Sequence, residues 1–450
     1  MDENLINKQF LNIKPSSTLQ INEISKKLLN EGKEVYKFGL GQSPFPIPDI
    51  IIEHLKNNAF QKDYLNVSGL LELREGVAKY HTEKNKYDYK AENIIIGPGS
   101  KELLFQCQMV MNCSLILPSP SWVSYAPQAE FLNKKVFWLE TNQEENWHLT
   151  AKTLKEHCLK NGGNKLLILN SPNNPTGTNN DDMKKIGEVC KEFKIIVLSD
   201  EIYSELDFLG NYKSITHFYP EGTIISSGLS KWCGAGGWRI GTLTFPEQLS
   251  NVCNKIRALA SETYTSVSAP IQYAAVKAYV CDHSNYLNKS RKILEIVSNY
   301  VYEELKSCGV ECKKPQGGFY ILCDFSKVIK KNNFISSGSS LCEKVLSDIG
   351  FAMLPGINFG IDDEKLITRM AYVDFDGEKA LDFLKTNSEI ESSDFEMLFP
   401  SAALALGNID IPIYYRNRTY GVTQIRRFTH GAMLLKMTLI GFLKVKSGRI

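Results

Sequence analysis

Five short apolar runs in this chain each end in a cluster of residues able to do chemistry. Gly97-Pro98-Gly99-Ser100-Lys101 follows the run 94–96, and Pro118-Ser119-Pro120-Ser121-Trp122 follows 115–117. Asn170-Ser171-Pro172-Asn173-Asn174-Pro175-Thr176-Gly177 follows 166–169, and Ser199-Asp200-Glu201-Ile202-Tyr203 follows 195–198. Ser226-Ser227-Gly228-Leu229-Ser230-Lys231 follows 224–225, and Arg239 comes eight residues after the lysine, in Gly236-Gly237-Trp238-Arg239-Ile240-Gly241. Taken singly, each has a plain explanation. A glycine-rich turn is usually only a tight turn, Asn-Pro-Thr-Gly is loop punctuation, and an aspartate after a strand is often a helix cap. Their shared position and order suggest instead that a lysine, an aspartate, a tyrosine, an asparagine, an arginine and an aromatic ring meet in one crevice.

That set matches the needs of pyridoxal 5'-phosphate. A lysine amine forms a Schiff base with its aldehyde, and a carboxylate keeps its pyridine nitrogen protonated. An arginine, hydroxyls and backbone N–H groups at a helix start hold its phosphate, and an aromatic side chain stacks on its ring.

From about residue 35 to 390 the sequence resembles the class I/II aminotransferases, the aspartate aminotransferase-like, fold-type I pyridoxal phosphate-dependent enzymes, through its Ser-Lys…Gly-x-Arg-x-Gly and Asn-Pro-Thr-Gly motifs together. The resemblance implies an aminotransferase moving an amino group from an L-amino acid to a 2-oxo acid by a ping-pong mechanism. It makes Lys231 the Schiff-base lysine and catalytic base, and Asp200 the pyridinium partner. Tyr203 and Asn174 become the donors to the phenolic oxygen. Ser230, Arg239 and the Gly99–Ser100–Lys101 turn become the phosphate site, and Trp122 the stacking ring. Arg369, in Thr368-Arg369-Met370-Ala371-Tyr372, matches the clamp on the substrate α-carboxylate, and Gly41 matches a closing loop. Tyr64 matches a tyrosine that reaches the neighbouring subunit's phosphate, which implies a homodimer with shared active sites.

The chain departs from the family in two places. The family often has Ser-x-Ser-Lys, but Gly228 stands three before Lys231, so either one hydroxyl is missing or Ser227 replaces it. Where some aspartate enzymes place an arginine for the distal carboxylate, Tyr264 stands before Ser268-Ala269-Pro270. Lys101 is a candidate for that carboxylate in an aspartate/glutamate-type enzyme, and equally for a phosphate or surface contact. Carbon–sulfur β-lyases and aminocyclopropane-carboxylate synthase-like lyases share nearly all these residues, so the outcome of the chemistry stays open at this level. A non-catalytic sensor of the same fold usually carries a DNA-binding segment, and none of that size precedes residue 35.

The elements that must position these groups follow from patterning. The apolar runs 93–96, 115–117, 135–139, 165–169, 194–198, 223–225 and 242–245 alternate with helix-length amphipathic stretches such as 181–193. That pattern predicts an α/β fold with a mostly parallel sheet covered on both faces, with ligands at the carboxyl ends of its strands. A long helix is expected at 286–305, followed by a smaller α+β region. The expected division is 1–45 as N-terminal arm and part of the small domain, 46–285 as the cofactor-binding domain, 286–395 as the small domain, and 396–450 as a basic extension. Within that extension a strand is expected at 411–415 and a helix at 432–445.

Composition excludes other classes. The 450 residues carry 52 Lys+Arg and 50 Asp+Glu, a net +2, with 43% hydrophobic residues, which is ordinary for a soluble globular protein and gives no reason to expect nucleic acid. The total conceals a local +7 in residues 401–450 against −5 in the rest. The eleven cysteines form no CxxC pair and the seven histidines no HExxH, so no metal is expected. Neither GxGxxG nor GxxxxGK[ST] occurs. No secretory signal or bilayer-length apolar stretch is visible, and free thiols suit a reducing compartment, so a cytoplasmic protein is expected.

Overall fold

The computed structural model describes residues 5–7, 10–11 and 15–406. The expected strand at 411–415 and helix at 432–445, and most of the basic extension, lie outside these residues.

The chain first lays down a two-residue strand, β1 (Tyr36–Lys37), and then the strands of the large sheet. These are β2 (Ile94–Gly97), β3 (Ser114–Ser119), β4 (Val136–Glu140), β5 (Lys165–Asn170), β6 (Ile196–Asp200), β7 (Thr223–Gly228) and β8 (Gly241–Thr244). Their order is β2-β8-β7-β6-β5-β3-β4, and only β8 runs against the others. All seven expected strands are therefore present. Apolar residues feed both faces: Leu115, Leu117, Leu166 and Ile168 enter one core, while Ile116, Leu167, Leu169 and Val197 enter the core on the other side. Helices cover each face, which is why these strands read as unbroken apolar runs rather than alternating ones.

The strand directions determine where chemistry can gather. Gly97, Asn170, Asp200 and Gly228 close their parallel strands at one edge of the sheet. Because β8 is antiparallel, its first residue, Gly241, lies at that same edge and brings Arg239 with it. Gly241 pairs with both Gly97 and Gly228, so three glycines stand side by side. A Cβ on Gly241 would overlap the Ser100 amide, and one on Gly97 the Leu103 side chain. The bare backbone lets the helix Ser100–Val110 set its first turn directly on the sheet edge.

The helix Ser284–Ser307 buries Ser290, Ile293, Leu294, Val297, Ser298, Val301 and Leu305. This three-to-four-residue spacing packs one continuous face onto the core. Beyond it, β9 (Glu311–Cys312), β10 (Tyr320–Asp324), β12 (Leu354–Pro355) and β13 (Ile367–Ala371) form an antiparallel sheet in the order β12-β13-β10-β9. β11 (Phe351–Ala352) pairs in parallel with β1, tying the N-terminal segment to this later region. The helices Phe395–Leu398 and Pro400–Leu406 follow. Phe399 between them is fully buried against Phe375, and Phe395 stacks on Tyr300. Packing thus continues past residue 395 without a break.

Candidate active site

Lys231 follows β7 and lies at the centre of the strand-end crevice. Its Nζ donates to the Gly41 carbonyl at 2.7 Å and lies 5.6 Å from the Tyr203 ring centre and 5.5 Å from that of Phe319. Burial, reinforced by the positive charges of Arg369, Arg239 and Lys101 and only partly offset by Asp200, pushes its pKa from 10.5 down to about 8. An amine so placed deprotonates easily for a lysine, as nucleophilic or base chemistry requires.

Asp200, the last residue of β6, is buried. Its Oδ2 accepts from the Tyr125 hydroxyl at 2.6 Å, and its Oδ1 from the Ile202 amide at 3.3 Å. Burial raises its pKa to about 6, and these two hydrogen bonds and Lys231 hold it from rising further. It remains anionic at neutral pH. Tyr203, three residues on, shares a 2.8 Å hydrogen bond with the Tyr320 hydroxyl and accepts a long one, 3.5 Å, from Asn174 Nδ2.

Arg369 projects from β13 and is 1% exposed. Its Nη1 donates to Asn174 Oδ1 at 3.4 Å, its Nη2 donates to the Gly39 carbonyl, and its guanidinium lies over the rings of Tyr320, at 4.7 Å, and Phe359, at 5.3 Å. Its Nε, fully buried, has no protein partner. Burying a guanidinium with an unsatisfied N–H is costly unless the group serves an incoming anion.

At the other end of the crevice, Gly99 caps the helix Ser100–Val110 with φ 95°, a conformation that favours glycine. A Cβ there would overlap the Arg239 guanidinium, so arginine and helix start face one another across a bare backbone. The exposed Arg239 is steadied by the Gly236 carbonyl at 3.0 Å and the Pro98 carbonyl at 3.4 Å. Half-buried Ser230 precedes Lys231 on the same turn. The Lys101 ammonium lies 5.2 Å over the half-buried Trp122 ring, which in turn meets Tyr125 edge-on at 5.2 Å.

The structure therefore gathers Lys231, Asp200, Tyr203, Asn174, Arg369 and Gly41 around one point, with Gly99, Ser100, Arg239, Lys101 and Trp122 at the adjoining edge. Tyr64 stands apart, with 90% of its surface exposed. Gly228 has no room for the missing hydroxyl, since a Cβ would come within 2.7 Å of the Ile240 carbonyl oxygen. Two residues of the site were missed by sequence reasoning. Tyr125 lies three residues after Trp122, and that spacing at a helix start was its only signal. Tyr320 follows the Gly317-Gly318 pair at the start of a strand, a position that looks purely structural.

A seven-stranded, mostly parallel sheet with a lysine, an aspartate and an arginine at one edge, met by a second, buried arginine from the smaller antiparallel sheet, defines a fold-type I enzyme. The sequence model of the family described as Aminotransferase class I and II matches residues 33–374, and the chain belongs to that family. It is an aminotransferase, moving amino groups between amino and oxo acids, and members of the family use pyridoxal phosphate. A probable aspartate/prephenate aminotransferase of Aquifex aeolicus is 33% identical over 364 residues, covering 77% of this chain and 90% of that one. An aspartate aminotransferase of Bacillus sp. (strain YM-2) is 31% identical over 358 residues, covering 77% and 90%. Among solved structures, the aspartate aminotransferase of Thermus thermophilus with maleate aligns with a TM-score of 0.76 at 26% identity, covering 84% of this chain and 98% of that one. Among the described residues no helix is long and apolar enough to cross a membrane, and no His/Cys/Asp/Glu group suits a metal ion.

Proposed function

We propose that the chain is a pyridoxal 5'-phosphate-dependent aminotransferase of the aspartate/glutamate type, with Lys231 as its catalytic residue. The observation that carries the reading is the strand-end cluster in which the Lys231 amine, donating to the Gly41 carbonyl beside the Tyr203 ring, feels both the buried Asp200 carboxylate and the buried Arg369 guanidinium. The residues present suit the cofactor. The buried Asp200 carboxylate, held by Tyr125, suits a protonated ring nitrogen, and the bare turn at Gly99 beside Arg239 has the donors of a phosphate cradle.

The bound cofactor supplies an aldehyde for amines to condense with and a ring that draws electrons from the substrate α-carbon. Asp200 holds a proton at the ring nitrogen, and Tyr125 holds Asp200. Tyr203 and Asn174 offer hydrogens to the phenolic oxygen. The Gly99, Ser100 and Lys101 amides, Ser230 and Arg239 would hold the phosphate, and Trp122 would stack on the ring. Arg369 grips the substrate α-carboxylate through its parallel N–H groups. Lys231, as a neutral amine, would take the substrate α-proton as general base and give it up again as general acid. The Gly39–Gly41 segment, already in contact with both Arg369 and Lys231, shuts water out.

The Lys101 ammonium over Trp122, beside the crevice, supports Lys101 as the group that meets a distal carboxylate. The names of the relatives, aspartate and aspartate/prephenate aminotransferases, support that choice. The exposure of Tyr64 supports a homodimer in which it serves the neighbouring subunit's phosphate, and eleven free cysteines support a reducing, cytoplasmic setting.

The test is amino transfer from aspartate to 2-oxoglutarate by the purified protein with pyridoxal phosphate, alongside Lys231→Ala. Glutamate formation lost in the variant is the expected result. Release of pyruvate or ammonia from a single substrate without transfer would overturn the reading in favour of a lyase.

A further inference from the structure

Tyr320 has no part in the chemistry described so far, yet the site is built around it. It lies on β10, whose Leu322 pairs with Arg369 of β13. Tyr320, two residues earlier, is thus a same-face diagonal neighbour of Arg369, within reach of a long side chain. Its ring is buried beneath the Arg369 guanidinium, and its hydroxyl meets that of Tyr203.

Two glycines from distant parts of the chain open the space it fills. A Cβ on Gly41 would overlap the Tyr320 hydroxyl and ring, and one on Gly177, the last residue of the Asn-Pro-Thr-Gly motif, would overlap its carbonyl oxygen. Gly177 also has φ 72°, which itself favours glycine. With Asn174 bonded to both Arg369 and Tyr203, the four side chains close a ring: Arg369, Asn174, Tyr203, Tyr320. Every member is buried, so none of these contacts exchanges freely with water.

The direction of the Tyr320–Tyr203 hydrogen bond decides what Tyr203 can do. Burial pushes both phenols up, Tyr203 well above its ordinary value; for Tyr320 the adjacent Arg369 charge is the largest opposing influence. Among the described residues Tyr203 is the one hydrogen-bond partner of the Tyr320 hydroxyl, and Tyr203 already accepts from Asn174; Tyr320 as donor and Tyr203 as acceptor is the arrangement that leaves no buried Tyr320 proton unpaired. Tyr203 then has its own proton free to point into the crevice.

We infer that Tyr320 is a positioning residue: by donating to Tyr203 from beneath Arg369, it fixes the Tyr203 proton toward the phenolic oxygen of the bound cofactor and strengthens that donation. The inference rests on the reading that Tyr203 faces this oxygen. A donor that is itself an acceptor is polarised into a stronger donor, so removing Tyr320's hydroxyl weakens the stabilisation of the cofactor's phenolate.

The test is a pH titration of the visible absorbance of the cofactor-loaded, full-length protein in four forms: wild type, Tyr320→Phe, Tyr203→Phe and the double variant. Tyr320→Phe keeps the ring beneath Arg369, and thermal melting checks that each variant stays folded. Tyr320→Phe is expected to move the apparent pKa of the band upward by about half a unit. In the Tyr203→Phe background the same change is expected to move nothing. No shift in Tyr320→Phe, or the same shift in both backgrounds, overturns the inference while leaving the functional reading intact. A wild-type protein that develops no pH-dependent band, or a Tyr203→Phe variant that titrates as wild type does, overturns the underlying reading of Tyr203 instead.

Discussion

Replacing Lys231 by methionine should leave the cofactor-free protein more stable than the wild type at neutral pH, and the margin can be worked from its surroundings. Methionine keeps the stem and removes the charge. In the fold the ammonium is buried beside Arg369, Arg239 and Lys101, and its pKa falls from 10.5 to about 8. One pKa unit corresponds to about 1.4 kcal/mol, so carrying the cation costs the folded state at most about 3 kcal/mol. The hydrogen bond to Gly41 returns about 1 kcal/mol. The variant should therefore gain about 2 kcal/mol at pH 7.

The pH dependence has a definite sign. Below about pH 8 lysine is protonated both folded and unfolded, and the cost is present in full. Between about 8 and 10.5 the unfolded chain keeps a proton that the folded one has lost, so wild-type stability rises relative to the variant. Urea unfolding of both proteins from pH 7 to 10.5, plotted as the difference in free energy, should climb by up to about 3 kcal/mol across that window. Titrating groups not coupled to Lys231 cancel in the difference, and Asp200, which is coupled, titrates near 6, below this window. A flat difference would refute the electrostatic account of the site.

Arg369→Lys keeps the charge but not the paired N–H groups, and kcat/KM for the amino donor should fall about 10- to 100-fold in steady-state assays. Gly41→Ala drives a methyl into Tyr320, which Tyr203 and Arg369 hold in place; kcat/KM should fall about 100-fold with an unchanged circular dichroism spectrum. Phe399→Ala should lower stability by about 3–5 kcal/mol in urea unfolding, because the ring is fully buried against Phe375 and Phe395. A chain ending at Asp394 should be destabilised at least as much.

Why some of this was legible in the sequence and some not has physical causes. Strands buried on both faces must be apolar throughout, so 94–96 or 166–169 could be recognised without any partner in view. Polar residues at strand ends are conspicuous against such runs, which exposed Asp200, Asn174 and Lys231. By contrast β11 and β12 are two residues each and carry no periodicity at all. Tyr125 and Tyr320 escaped because a phenol beside apolar neighbours is ordinary core material until its hydroxyl is seen to face a carboxylate or a second phenol. The contact of Lys231 with Gly41 joins positions 190 residues apart, and no local pattern encodes it. Gly228 looked like a lost hydroxyl, yet it is required by the Ile240 carbonyl beside it.

The pairing of β1 with β11, and of Arg369 with Gly39, has a consequence for how the molecule is made. Strand β1 is synthesised early, but its only strand partner among the described residues begins at Phe351, and Arg369 meets a carbonyl 330 residues behind it. On the ribosome the large sheet can form as its strands emerge, while the segment around Gly39–Gly41 must wait with its apolar neighbours, such as Phe38, uncovered. The closure entropy of so long a loop grows only slowly with length, so the delay is one of timing rather than of final stability. Phe38 and the β1 edge are then the surfaces most open to misassociation and to chaperones during translation. The crevice gains Arg369, the proposed carboxylate clamp, only after the strands of the large sheet have all been made, so a chain stopped before it can hold Lys231 and Asp200 in place yet lacks that group.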